Sequence, residues 1–163
     1  MIKVLFVCLG NICRSPAAEG IFKKYLNDNK LNEFVTVDSA GTIGYHEGEL
    51  PDERMSELAA QRGYVLNSRS RKFVPSNDFE EFDYIITMDN YNFADITRLD
   101  KNGSYKNKIF KMIEFINDKS VTEVPDPYYG TDNEFNYVID LLEKGSQNLL
   151  KRIQNDIARN NKK

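Results

Sequence analysis

Cysteine is scarce in this chain of 163 residues, where only Cys8 and Cys13 occur. Two cysteines cannot build a disulfide scaffold, so the expected setting is a reducing cytoplasm in which both are thiols. Histidine is scarcer still, with His46 alone. A structural zinc site wants four ligands, and two thiolates, one imidazole and a borrowed carboxylate at these spacings match no usual pattern. No metal is expected. Positive charge is not in excess, since 22 Lys and Arg stand against 25 Asp and Glu. The net charge of −3 excludes a basic footprint for nucleic acid. An anionic substrate must therefore be drawn in by a local site. No apolar run is long enough to span a membrane. The first one, "IKVLFV", is too short for a signal peptide and is soon followed by Arg14 and a polar helix. Ile2 stands where myristoylation needs glycine, and no prenylation box closes the chain. Neither a membrane nor a nucleic acid is expected as a partner, and the expected state is a monomer.

Repeats, linkers and low-complexity blocks are missing too. The length suits one domain with a real core, expected over residues 1–158 with 159–163 as a frayed tail. "IKVLFVC" is nearly continuous in apolar and β-branched residues, which suits a strand buried on both faces. Ser15 as N-cap and Pro16 at the first helical position are expected to open a helix, carried on by Ile21, Phe22, Tyr25 and Leu26. "FVTVDSAG" reads as a second strand ending at Gly41. Residues Pro51 to Gly63 read as a helix with proline at its start and acidic residues in its first turn. "FDYIITMDN" gives a third strand, with Asp89 capping a short helix after it, and "KNKIFKMIEF" a fourth. "TEVPDPYYGTDN" is a turn-rich loop. From 133 to 158 the apolar residues follow helical spacing, interrupted by Gly145. Alternating strands and helices predict one α/β domain with a parallel sheet. Ligands of such folds bind at the carboxyl ends of the strands, where residues 8 to 15 lie.

Those residues, "CLGNICRS", carry the chemistry. A nucleotide P-loop is excluded, because Gly10 is not followed by a Gly-Lys-Ser/Thr ending. Cys8 and Arg14 instead form C-x5-R. A tight loop of this size turns successive N–H groups inward as an anion-binding nest. The helix that follows aims its N-terminus at the same point, and Arg14 offers planar, bidentate donors for two phosphate oxygens. The field that binds phosphate also stabilises a thiolate, which makes Cys8 a nucleophile that Ser15 can hydrogen-bond. The plain alternative for Cys8 is a small core residue at a strand end. Gly10, Asn11 and the Ser-Pro start argue against it.

A thiolate that attacks a phosphate ester needs a proton for the leaving oxygen. Asp126 lies between Pro125 and Pro127, whose rings restrict the backbone around it. A turn aspartate and a general acid fit that setting equally, and the demand created by the first loop favours the acid. Tyr128 and Tyr129 either wall a site for an aryl phosphate or simply pack on the surface.

The chain resembles the low-molecular-weight protein tyrosine phosphatase family in "VCLGNICRSPAAEG", in "VDSAGT" at 37–42, in "MDN" at 88–90 and in "VPDPYYG" at 124–130. The resemblance spans essentially the whole chain. It implies a single-domain flavodoxin-like fold of four parallel strands flanked by helices. It implies a phosphatase that needs no cofactor and acts on a tyrosine-phosphorylated protein or an aryl phosphate. By resemblance Cys8 is the nucleophile, and Leu9, Gly10, Asn11, Ile12, Cys13 and Arg14 bind phosphate. Asp126 is acid and then base. Asn11, Ser15 and Ser39 form the network beneath the loop, and Tyr45, Tyr128 and Tyr129 line the substrate crevice. Cys13 is similar to the family's second cysteine, which guards the nucleophile by bonding to it on oxidation. One departure is that Ser68 takes the place of a supporting histidine. His46 is expected to be a rim or structural residue. The related arsenate reductases need further cysteines downstream, and none follows Cys13. A phosphate-binding module without catalysis would be expected to lose the nucleophile or the acid, whereas Cys8, Arg14 and Asp126 are all present.

Overall fold

A computed structural model describes residues 1–161. Its centre is a four-stranded parallel sheet: β1 (Ile2–Cys8), β2 (Val35–Gly41), β3 (Tyr84–Thr87) and β4 (Ile109–Lys111), in the order β2-β1-β3-β4. Helices α1 (Arg14–Asp28), α2 (Glu53–Gln61), α3 (Pro75–Glu81), α4 (Asn90–Leu99) and α5 (Asp132–Asn160) flank it.

β1 sits between two partners, in register from Ile2 opposite Val35 to Cys8 opposite Gly41. Side chains alternate across a strand, so β1 serves two cores at once. Val4, Phe6 and Cys8 join Ile21 and Phe22 of α1 and Phe135, Val138 and Leu142 of α5. Leu5 and Val7 join Phe73, Phe79, Phe82 and Ile96 on the other face. Each fully buried side chain of this size stabilises the fold by roughly 1.5–3 kcal/mol. Burial on both faces thus fixes β1 as the rigid stem that carries the loop from Cys8 onward. No helix among the described residues is long and apolar enough to cross a membrane.

Some local expectations change. Ser15 is not an N-cap: α1 begins at Arg14 with Cys13 in the cap position and no side-chain cap bond. The Ser15 hydroxyl has a partner elsewhere, described below. Pro51 lies just outside α2, and Asp52 is the cap, accepting from the N–H groups of Arg54 and Met55. α5 runs unbroken through Gly145. That glycine serves packing, since a Cβ there would lie 2.5 Å from Met112 Cε. β4 is only three residues long, and 3-10 turns take up most of the segment around it. α3 has no counterpart in the sequence reading. Arg159 and Asn160, in the tail expected to fray, are helical, and residues 162 and 163 lie outside the described residues.

Candidate active site

Cys8 ends β1, and the chain then curls through residues 9–13 into α1. The carbonyls of this curl are tied outward. Thr42 N–H donates to Cys8 O at 2.9 Å, Ile43 N–H to Leu9 O at 3.1 Å and Asp52 N–H to Ile12 O at 2.7 Å. The Ser70 hydroxyl donates to Gly10 O at 3.0 Å. Among the described residues none of the N–H groups from Leu9 to Cys13 donates to a protein acceptor. In a trans peptide the N–H lies opposite the C=O, so each unit whose carbonyl is held outside turns its own N–H inside, and the curl is a nest of unpaired donors lining the same crevice as Cys8. The N-terminus of α1 adds its partial positive charge. Gly41 permits the close fit, because a Cβ there would stand 2.8 Å from Leu9 O and 2.9 Å from Ile43 O.

Asn11 holds the curl in shape. Its φ of 57° is left-handed, a conformation asparagine tolerates better than most residues. Its Oδ1 accepts from the Arg71 N–H at 2.9 Å. Its Nδ2 donates to Ser15 Oγ at 2.8 Å and to Ser39 Oγ at 2.9 Å. A backbone N–H can only donate, so the orientation of the Asn11 amide is fixed. Both serines receive a proton from it and must pass their own onward. Ser39 donates to Glu19 Oε1 at 2.9 Å. The Ser15 hydroxyl lies 3.0 Å from Cys8 Sγ. Ser68, which takes the place of the family's supporting histidine in the sequence, makes no side-chain hydrogen bond among the described residues. Ser70 and the Arg71 backbone do that work, and the Arg71 guanidinium is held in turn by Asp38 and Asp78.

Arg14 is 2% exposed. Its Nη1 donates to Asp89 Oδ2 at 2.5 Å and to Val124 O at 3.1 Å. Asp126 Oδ2 lies 3.6 Å from Nη2. Among the described residues no hydrogen bond holds Nε or Nη2, which leaves that edge of the fork for a ligand. Burial alone would weaken the guanidinium's hold on its proton, but Cys8, Asp89 and Asp126 outweigh it and raise its pKa. Arg14 is therefore a permanent charge. Cys13 behaves in the opposite way. Burial first, and then the negative field of Asp52, pushes its thiol well above the usual range, so it stays protonated. Both cysteines are free.

Cys8, Leu9, Gly10, Ile12, Cys13, Arg14, Tyr45, Asp126, Tyr128 and Tyr129 line one crevice of about 380 Å³, together with Ile43 and His46. Asn11, Ser15 and Ser39 lie beneath its floor. Asp126 is part-exposed at the rim, and its Oδ1 accepts from the Tyr128 N–H at 3.1 Å. Tyr45 and Tyr129 stand free in solvent at 82% and 97% exposure. His46 is a rim residue, with Nδ1 2.7 Å from Glu49 Oε2 and its ring edge-on to Tyr45.

Sequence reasoning missed Asp89 as the partner of Arg14. Its capping signal was legible, and the same carboxylate does both jobs: Oδ1 accepts from Asn92 N–H while Oδ2 takes Arg14. Ser70, Arg71 and Glu19 left no local signal.

Known proteins resemble this chain over nearly its whole length. The family model described as low molecular weight phosphotyrosine protein phosphatase matches residues 3–159. A solved protein tyrosine phosphatase of Entamoeba histolytica, with Hepes in its active site, is 49% identical, with a TM-score of 0.90. The match covers 96% of this chain and 99% of that one. YfkJ of Bacillus subtilis is 38% identical in its crystal structure, with a TM-score of 0.87 and 96% of each chain covered. The low molecular weight phosphotyrosine protein phosphatase of Schizosaccharomyces pombe is 40% identical over 93% of this chain and 97% of its own.

Proposed function

Because the chain belongs to the low molecular weight phosphotyrosine protein phosphatase family, we propose that it hydrolyses phosphotyrosine in proteins through a phosphocysteine intermediate. The observation that carries this reading is the nest of unpaired N–H groups from Leu9 to Cys13 lining the same crevice as Cys8, with Arg14 buried beside it.

The Cys8 thiolate attacks phosphorus and forms the S–P bond as the P–O bond to the tyrosyl oxygen breaks. Asp126 gives that oxygen its proton. The N–H groups and Arg14 stabilise the charge on the three equatorial oxygens, where preorganised donors contribute most. In the second step Asp126, now a carboxylate, takes a proton from water. The water oxygen bonds to phosphorus, the P–S bond breaks, and Cys8 leaves as a thiolate facing the Ser15 hydroxyl. Cys13 keeps its proton and does not compete as nucleophile.

The crevice walls support an aryl substrate. Tyr45, Tyr128 and Tyr129 line the crevice together with Cys8 and Arg14. A phosphotyrosine reaches from rim to floor with its ring between aromatic walls. A phosphoserine is too short to do both.

The test is metal-free phosphate release from a phosphotyrosyl peptide, with Cys8→Ser beside the wild type. Release by the wild type alone, and far less from the matching phosphoserine peptide, is the expected result. Equal turnover of both peptides overturns the substrate class. Tight peptide binding with no release by either protein overturns the catalytic reading. Asp126→Ala is expected to slow aryl phosphate cleavage by roughly 10²–10⁴-fold, the usual contribution of a general acid.

A further inference from the structure

Arg54 lies in the first turn of α2 and is not one of the residues lining the crevice. Its surroundings nevertheless connect the two halves of the site. Asp52 donates its N–H to Ile12 O of the phosphate loop at 2.7 Å. The Asp52 carboxylate takes Arg54 in a two-pronged grip, accepting from Nε at 3.2 Å and from Nη2 at 3.0 Å. The guanidinium then lies 5.5 Å from the centre of the Tyr128 ring and 4.6 Å from that of Phe135. Both distances are within reach of a cation–π contact. Tyr128 in turn donates its N–H to Asp126 Oδ1.

Both aromatic contacts lie beyond Asp126 in the chain. Tyr128 is two residues beyond the acid, and Phe135 is in the first turns of α5, where the loop ends. The near end of that loop is tied separately, by Val124 N–H to Met88 O and by Arg14 to Val124 O. We propose that Arg54, clamped by Asp52, is a positioning residue that sets the height of the Asp126 carboxyl above the Cys8 sulfur. Arg54 touches no reacting atom. It acts through Tyr128 and the Tyr128 N–H on Asp126. The planar guanidinium suits the task, since one edge is bound by the carboxylate while its face packs on rings. The inference rests on the reading of Asp126 as the general acid.

The experiment compares kcat/KM for 4-nitrophenyl phosphate, whose leaving group departs readily, with that for phenyl phosphate, whose leaving group needs a proton. Wild type, Arg54→Met, Arg54→Lys, Asp126→Ala and the Arg54→Met/Asp126→Ala double variant are measured together. Arg54→Met is expected to lose roughly tenfold on phenyl phosphate, within the scale of acid catalysis, and little on 4-nitrophenyl phosphate. Inhibition by inorganic phosphate is expected to stay unchanged, because the phosphate loop is intact. In the Asp126→Ala background the Arg54 substitution is expected to leave the ratio of the two substrates unaltered. Arg54→Lys keeps a cation without the planar fork and is expected to show the same selective loss, while providing a folded control if the methionine variant is unstable. Equal losses on both substrates, or a further change of ratio in the double variant, overturn the positioning role. If Asp126→Ala itself shows no preference between the substrates, the assignment of the acid falls instead.

Discussion

Ser15 Oγ stands 3.0 Å from Cys8 Sγ and receives its own hydrogen bond from Asn11 Nδ2 at 2.8 Å. The carbonyl of Ala40 is a poorer alternative for its proton at 3.5 Å. The hydroxyl is thus set to donate to a thiolate each time Cys8 leaves phosphorus. Ser15→Ala is expected to lower kcat by about tenfold or more, since a hydrogen bond to a charged group contributes about 1.5–3 kcal/mol. KM for the aryl phosphate changes little, because the serine does not line the crevice. Steady-state kinetics with trapping of the phosphocysteine checks this: the intermediate accumulates in the variant. An unchanged kcat would remove Ser15 from the second step.

Asp89 divides its two oxygens between the cap of α4 and Arg14. Asparagine has one acceptor oxygen and must abandon one of them. Asp89→Asn is expected to cost about 1–3 kcal/mol in denaturant unfolding, from a lost cap or an ill-paired buried guanidinium. It is also expected to raise KM for aryl phosphate. Wild-type values of both quantities would show that Arg14 is held by Val124 O alone.

The Asp52 carboxyl is somewhat desolvated, but its hydrogen bonds and ion pair with Arg54 prevail and hold its pKa below the ordinary carboxylate value. A depressed folded pKa means that the stabilising effect is complete above the unfolded value, about 3.9. It is lost as pH falls below that, through the folded value. Asp52→Ala is therefore expected to be less stable than wild type at neutral pH, by about 1 kcal/mol for the lost cap. The gap is expected to narrow as the pH is lowered below about 4. Urea unfolding at a series of pH values measures it, and a gap that widens towards acid would contradict the assignment.

Cys13 is a buried, protonated thiol in the same loop as Cys8. Peroxide is expected to convert the Cys8 thiolate to a sulfenic acid, which would condense with the Cys13 thiol to a disulfide and water. Inactivation of the wild type by peroxide is expected to reverse with added thiol. In Cys13→Ser the sulfenic acid has no such partner, and activity is expected to stay lost after prolonged exposure. Equal recovery in both proteins would remove the guarding role.

Much of the molecule could be read along the chain. The apolar run of β1 announced a strand buried on both faces, because such a run admits no solvent-facing side. C-x5-R with a Ser-Pro start announced an anion cradle, since every part of it lies within one turn. Asp126 between two prolines fitted a turn residue equally well, and only the demand created by the first loop singled it out. Local spacing could not say what a side chain meets when it has a choice. Ser15 carried a good capping signal, and its hydroxyl instead points to sulfur, because Asn11 occupies one side of it. Arg14 finds Asp89 across 75 positions of sequence. Ser70 and Arg71 brace the loop, a role the sequence left open at Ser68, since β2 and the 70–73 segment pair at Gly41. Sequence determined the strands and the C-x5-R turn with its proposed nucleophile, which depend on residues close in the chain. Tertiary structure alone decided how the turn is braced and how Asp126 is brought beside Arg14. Those tasks fall to hydrogen bonds and ring contacts between segments that only the packing of helices on the sheet brings together.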